Sequence, residues 1–229
     1  MNTINKHITV GDVAVLVPKA TEVFAKYDID FCCGGNRVLA DVLKENRLDE
    51  KQVFNELEEL LSKRKSELEV IGDDFAAMKP VELSLFIENT HHTYLKETLP
   101  VISDLLSMVL RIHGGKHNEL YDIHKNFGIL KTDLEQHLIK EETILFPLLK
   151  VGKDREKINR YTAEILQEHE VVGDVLRKIR KASNKYTVPE DGCDTYRKAY
   201  KMLEELQNDL HQHVHLENNI LLVDFERDQ

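Results

Sequence analysis

Two stretches of the chain set a histidine and a glutamate four residues apart: HLIKEETIL, starting at His137, and HVHLENNIL, starting at His213. On a helix, positions i and i+4 lie one above the other on the same face. His137 with Glu141, and His213 with Glu217, can therefore each offer an imidazole and a carboxylate to a single point. In both stretches Ile-Leu follows three residues after the glutamate, so the pattern is an internal repeat. Imidazole plus carboxylate is the donor set of a transition-metal site.

Whether these donors meet depends on the helices that carry them. From Pro80 onward four long helical stretches are expected, near 80–112, 118–149, 155–184 and 192–224, joined by Gly114-Gly115, by Gly152-Lys153 and by 187–192 with Pro189. Short links between long helices imply antiparallel neighbours, hence an up-down-up-down four-helix bundle. Each stretch has an apolar seam stepping by three and four residues. The second reads Phe127, Leu130, Leu134, His137, Glu141, Ile144, Leu148; the fourth reads Leu203, Leu206, Leu210, His213, Glu217, Ile220. The third carries Ile165, His169, Val172, Leu176 and Ile179, and the first Leu85, His92, Leu95, Leu99 and Ile102.

The two His/Glu pairs thus interrupt seams that should face the core. A lone buried carboxylate costs several kcal/mol or shifts its pKa until neutral, which packing does not explain and a metal does. Counted outward from each turn at ~1.5 Å per residue, His92, His137, His169 and His213 fall at similar heights. One histidine on an apolar stripe is more often a hydrogen-bonded core residue; six donors converging on one layer are not. Four imidazoles and two carboxylates exceed one tetrahedral zinc and suit two iron or manganese ions sharing both glutamates, with positions left for an oxo or hydroxo bridge.

His113 lies 21 residues beyond His92, roughly 30 Å along a helix, and cannot join that layer unless Pro100 turns the chain sharply. His113, His117 and His124 read as loop and helix-end residues, with a peripheral ligand as the alternative; His91, His211 and His215 lie off the seams and are expected to be exposed.

The remaining chemistry is sulfur. The chain has three cysteines, Cys32 and Cys33 side by side and Cys193 alone. An odd count without a secretory pattern in MNTINKHITVGD argues for reduced thiols and a cytoplasmic protein. Placed before a helix N-terminus, Cys32 and Cys33 would have depressed pKa values and act as thiolates toward iron or nitrosating agents; the alternative is two small hydrophobes in a tight turn. Cys193 reads as structural.

Before Pro80 several short helices are expected. Thr9 with Asp12 opens a capped start for the segment from Val13 to Tyr27, and Pro18 opens a second helix. Gly34 and Gly35 allow a turn, Val38 to Leu43 begins another helix, and Asp49 caps one that carries Val53, Leu57, Leu60, Leu61 and Leu68. The polar stretch Ile71-Gly72-Asp73-Asp74 marks a boundary, giving a small helical domain over 1–75 and the bundle over 76–229. The class is all-α. A formal net charge of −10 disfavours nucleic acid, and no 18-residue apolar run can span a membrane.

The whole chain resembles the repair-of-iron-centres di-iron proteins of the hemerythrin-like superfamily. The likeness rests on Asp30-Phe31-Cys32-Cys33-Gly34-Gly35, on HLIKEETILFP from His137, on HVHLENNIL from His213, and on Glu168-His169 and Tyr186–Cys193. It departs only after Leu221, where Leu222-Val223 replaces the Phe-Pro that follows Leu145. The resemblance implies that His92, His137, Glu141, His169, His213 and Glu217 ligate two non-haem irons. It implies repair of iron-sulfur clusters damaged by nitric oxide or peroxide, by iron donation, with damaged cluster proteins or an assembly scaffold as partners and with Cys32 and Cys33 as redox or iron-relay thiols. A homodimer through the N-terminal helices is expected by the same analogy. The rival readings are a di-iron nitric oxide or peroxide reductase, and a sensor or carrier of dioxygen or nitric oxide.

Overall fold

Short capped helices open the chain. In the computed structural model, which describes residues 4–5, 7–17, 19–66 and 75–223, the Thr9 hydroxyl accepts from the Asp12 amide at 3.1 Å and starts α1, Val10–Leu16. Helices α2 (Ala20–Lys26), α3 (Leu39–Glu45) and α4 (Glu50–Ser66) follow, and Asp49 caps the last through the Gln52 amide at 3.2 Å. One isolated antiparallel bridge pairs Thr9 with Val38. These helices enclose a core of Val10, Val13, Phe24, Phe31, Leu39, Leu43, Val53 and Leu57. The expectations for Pro18, Leu68 and the 71–74 boundary lie outside the described residues.

The long elements then come in four runs. The first is α5 (Pro80–Ile87), a π-turn (Glu88–His92) and α6 (Thr93–His113), which runs through Pro100 without a break. The second is α7 (Glu119–Lys140), a π-turn (Glu141–Leu145) and α8 (Phe146–Val151). The third is α9, Arg155–Ala182, capped by Asp154 on the Lys157 amide. The fourth is α10, Asp194–Leu216, ending in a π-turn over Glu217–Leu221. Leu99, Ile102, Leu106, Leu130, Leu134, Leu176, Leu203 and Leu206 lie in one buried cluster fed by all four runs. The fold is the all-α four-helix bundle, with a small helical domain before it. By contacts the chain divides into residues 80–210 and a second unit of 1–79 with 211–227, so the division falls inside α10.

The three π-turns correct the seams read from sequence. A π-turn closes i→i+5 and inserts one residue into the helical count, as in the bond from the Leu222 amide to the Glu217 carbonyl at 2.8 Å. Across each turn, from the seam on its regular side, the buried face slips by one position. Leu85 is 41% exposed and Ser84 takes its place; Ile144 and Leu148 are half-buried while Leu145 and Leu149 are buried; Ile220 gives way to Leu221. In α9, which is regular throughout, Ile165, His169, Val172, Leu176 and Ile179 are all buried as the pattern requires.

Candidate metal centre

The π-turns sit at the donors. His92 closes the first, Glu141 opens the second and Glu217 opens the third. π-Turns concentrate at functional sites because the widened turn re-aims side chains at little cost to the rest of the helix. His92, His137, Glu141, His169, His213 and Glu217 are all buried, none more than 2% exposed.

Within residues 80–210, Glu141 Oε2 stands 3.2 Å from His137 Nε2 and 3.4 Å from His92 Nε2. His169 Nε2 is 3.3 Å from His137 Nε2. On the last turns of α10, His213 Nε2 is 2.9 Å from Glu217 Oε1. Each unit thus holds buried donors of metal-ligand type, His92, His137, Glu141 and His169 within residues 80–210 and His213 with Glu217 on the last turns of α10, and these His/Glu groups are of the kind that could hold a metal ion.

The outward nitrogens of two histidines are held by carboxylates. His92 Nδ1 lies 2.9 Å from Glu142 Oε1, and Lys96 Nζ donates to both Glu142 oxygens at 2.7 and 2.8 Å. His137 Nδ1 lies 3.0 Å from Glu168 Oε2, and Lys140 donates to the other oxygen. Burial alone would raise these two carboxyl pKa values, but the hydrogen bonds and charges of their His and Lys partners outweigh it. Glu142 is lowered and Glu168 is pulled down to about 2. An ionised carboxylate accepts a hydrogen bond from Nδ1–H and so leaves the Nε2 lone pair facing inward, the tautomer a metal ligand needs. Phe146 stacks on His92 with ring centroids 5.6 Å apart. This donor set fits a metal.

Sequence reasoning did not assign Glu142, Glu168, Lys96 or Lys140 a role, although each glutamate directly precedes or follows a ligand-type residue in the chain. Two histidines expected at the surface are buried instead. His91 is 8% exposed, with Nδ1 2.9 Å from Asp209 Oδ1; the widened turn over 88–92 carries it inward beside His92. His215 is 3% exposed, and burial pushes its pKa down to about 4; Phe31 covers it, as it half-covers His211, with ring centroids 5.8 Å away in each case. Ser107 bonds His124 at 3.1 Å, within the bundle.

The cysteines lie in the loop before α3. Asp30 Oδ1 accepts from the amides of Cys32, Cys33 and Gly34 at 3.2, 3.0 and 3.2 Å, and the Cys32 thiol lies 3.3 Å from the same oxygen. The two sulfurs are 3.6 Å apart and unbonded. The Cys33 hydrogen bond, burial and the Asp30 charge push the Cys32 thiol well up, which overturns the depressed value expected of it: an anion, not a helix N-terminus, faces this sulfur. Neither loop glycine needs a left-handed backbone; a side chain on Gly35 would strike Asn219 Oδ1 at 2.4 Å. Asn219 and Asn218, just past Glu217, donate to the carbonyls of Phe31 and Cys32 at 3.2 and 3.0 Å.

Residues 85–223 match the hemerythrin HHE cation-binding domain, and residues 6–61 match a domain of unknown function, DUF542. The chain is 32% identical over 211 residues to the iron-sulfur cluster repair protein YtfE of Escherichia coli O81 (strain ED1a), spanning 92% of this chain and 93% of that protein. Proteins of the same name from E. coli O17:K52:H18 (strain UMN026) and from Citrobacter koseri are each 31% identical over the same share. The chain belongs to this hemerythrin-type family of iron-sulfur cluster repair proteins. Family membership spans both the Cys-Cys loop and the His/Glu layer, and the buried His/Glu groups are compatible with its cation-binding description. Among the described residues no helix is long and apolar enough to cross a membrane.

Proposed function

We propose that the chain restores damaged iron-sulfur clusters by giving up iron held by His92, His137, His169, His213, Glu141 and Glu217. The observation that carries this reading is that both arms of the internal repeat bury a histidine beside its glutamate, His137 with Glu141 and His213 with Glu217, the inward-facing pairing from which carboxylate-bridged di-iron sites are built. His92 and His213 would serve one iron, His137 and His169 the other, with an oxo or hydroxo bridge between them. Iron bound there would supply redox-dependent lability, since ferrous iron is held less tightly than ferric by oxygen and nitrogen donors. The protein's own part is to orient the imidazoles through Glu142 and Glu168 and to keep the layer buried.

In this reading residues 1–75 form the Cys-Cys-Gly-Gly domain and 76–229 the iron domain, at work in the cytoplasm, where thiols stay reduced. Cys33, half-buried beside the buried Cys32, is the thiol open to a partner, to nitric oxide or to departing iron. Recipients are iron-sulfur proteins whose clusters nitric oxide or peroxide has damaged. The test is to incubate the iron-loaded protein with a hydratase whose cluster has been damaged and to follow its activity. Recovery is expected with the unmodified chain and not with His137→Ala or Glu141→Leu; equal recovery in all three, or none in any, rejects iron donation.

A further inference from the structure

The connection between α6 and α7 and the one between α9 and α10 bring together four side chains that iron donation leaves unused. His113 Nε2 lies 3.3 Å from Cys193 Sγ, and His117 Nε2 lies 2.9 Å from Asp191 Oδ1. The two imidazoles stand with ring centroids 6.1 Å apart. The buried ring of Tyr196 meets both edge-on, at 5.3 and 5.9 Å. Both histidines and Cys193 are half-buried, so solvent reaches the group from the side away from Tyr196.

We propose that His113, His117, Asp191 and Cys193 form a binding site for one divalent cation of the zinc class, separate from the six-donor layer. One thiol, two imidazoles and one carboxylate make a complete tetrahedral set for such an ion, and sulfur selects zinc over calcium or magnesium. Two ligand atoms on one tetrahedral zinc stand roughly 3.3–3.5 Å apart, and the His113–Cys193 and His117–Asp191 pairs already stand at or inside that separation. Two imidazoles on one zinc have centroids roughly 5 Å apart. The buried pair His137 and His169 stands at 4.9 Å and His113 with His117 at 6.1 Å; no three of the four ligand atoms yet lie within 4.8 Å of one another, so the two pairs draw together when the ion binds.

The surroundings are those of a metal ligand set. The second nitrogen of His117 lies 3.2 Å from Glu119 Oε1, the carboxylate-on-imidazole arrangement that fixes a ligand's tautomer. The His117 hydrogen bond, chiefly, holds the Asp191 carboxyl below its usual range, so it meets a cation ionised. Gly192 keeps the two ligands of that loop on a tight turn: its amide donates to the Pro189 carbonyl at 2.9 Å, and an added Cβ would strike Val188 Cγ1 at 2.5 Å. Lys116, the nearest basic side chain, reaches only Asp191 Oδ2 at 3.9 Å and is 80% exposed, so solvent screens its charge.

The probe is cobalt(II), added to the iron-loaded full chain carrying Cys32→Ser and Cys33→Ser, which leaves Cys193 as the one thiol. The six-donor layer contains no sulfur, so cobalt bound there gives no thiolate-to-cobalt charge-transfer band in the near ultraviolet. A band that saturates at one equivalent, is displaced by zinc and weakens in His113→Gln and His117→Gln supports the site. Glu119→Gln, which acts only through His117, should weaken cobalt binding about 10-fold. Far-ultraviolet helicity checks each variant, and His117→Gln carries the test should a Cys193 variant fail to fold. No band in the double-serine chain overturns the proposal. So does a band whose affinity is unchanged by both histidine substitutions, which would mean a thiol binding cobalt alone. Neither outcome touches iron donation.

Discussion

The two halves of the internal repeat fold alike and then diverge one residue later. After Glu141 comes Glu142, which takes the outward nitrogen of His92 and is itself held by Lys96. After Glu217 come Asn218 and Asn219, which donate to the carbonyls of Cys32 and Phe31. Both arms open a π-turn on the glutamate, so the residues that follow are re-aimed in the same way. Chemistry then separates them. An ionised carboxylate only accepts hydrogen bonds and so can orient an imidazole N–H, whereas a backbone carbonyl needs the N–H of an amide. One arm therefore tunes a donor of the buried layer, and the other fastens the cysteine loop to the helix that carries His213 and Glu217.

The largest expected effect breaks what the arms have in common. In the proposed centre Glu141 and Glu217 each serve both irons, so metal analysis of Glu141→Leu or Glu217→Leu should find both lost, whereas His92→Ala should lose only part of the iron. Without metal the same leucine variants should melt at higher temperature than the unmodified apo chain, reflecting about 1–3 kcal/mol of added stability, because a costly buried carboxylate is replaced by apolar surface. Variants that keep full iron, or melt lower without it, would mean that these carboxylates serve packing.

A second pair of variants sharpens the contrast between the arms. Glu142→Gln should lower iron affinity about 10–100-fold, the usual cost of losing an outer partner of a ligating histidine, and leave the cysteine loop unchanged. Asn218→Asp with Asn219→Asp should do the reverse. Each substitution sets an acceptor against a carbonyl and loses at least about 1 kcal/mol, so alkylation of Cys33 should quicken by a factor of about 5 or more while iron content holds. If both variants move both readouts, the arms do not divide the labour.

The sequence made the donors visible because a histidine and a glutamate at i and i+4 interrupted an otherwise apolar stripe, and a stripe of that kind must face inward. The all-α class and the four long runs followed from the same periodicity, and the Thr9 and Asp49 caps from residue type, since their side chains bond amides three residues on. The π-turns left no such mark. Whether a turn closes at i+4 or i+5 is decided by where neighbouring helices hold the donors, and that is tertiary information; hence the slip from Leu85 to Ser84 and from Ile144 to Leu145, while regular α9 kept its predicted face. His215 was misread for a related reason. It lies off the bundle seam, and what buries it is Phe31, about 180 residues earlier in the chain, which no local pattern reveals.

The smallest effect concerns the far anchor of the cysteine loop. Just before the loop, Lys26 donates to both Glu56 oxygens at 2.8 Å and the Tyr27 hydroxyl donates to Oε1 at 2.6 Å, tying the end of α2 to α4. The Lys26 hydrogen bond first, then that of Tyr27, lowers the Glu56 carboxyl below its ordinary 4.5. A carboxyl with a depressed folded pKa binds fewer protons folded than unfolded. Its contribution is therefore complete above 4.5 and is lost as the pH falls through the folded value. The group is only partly buried, so the loss is modest and shrinks with added salt. Hydrogen-exchange protection of residues 27–33, corrected for intrinsic rates, should fall slightly on acidification below that point in the unmodified chain. In Glu56→Gln it should start lower and stay flat over the same range. The Asn218 and Asn219 amides do not titrate, so their side of the loop should hold its protection in both proteins; acid sensitivity confined to that side instead would place the pH-dependent anchor on α10.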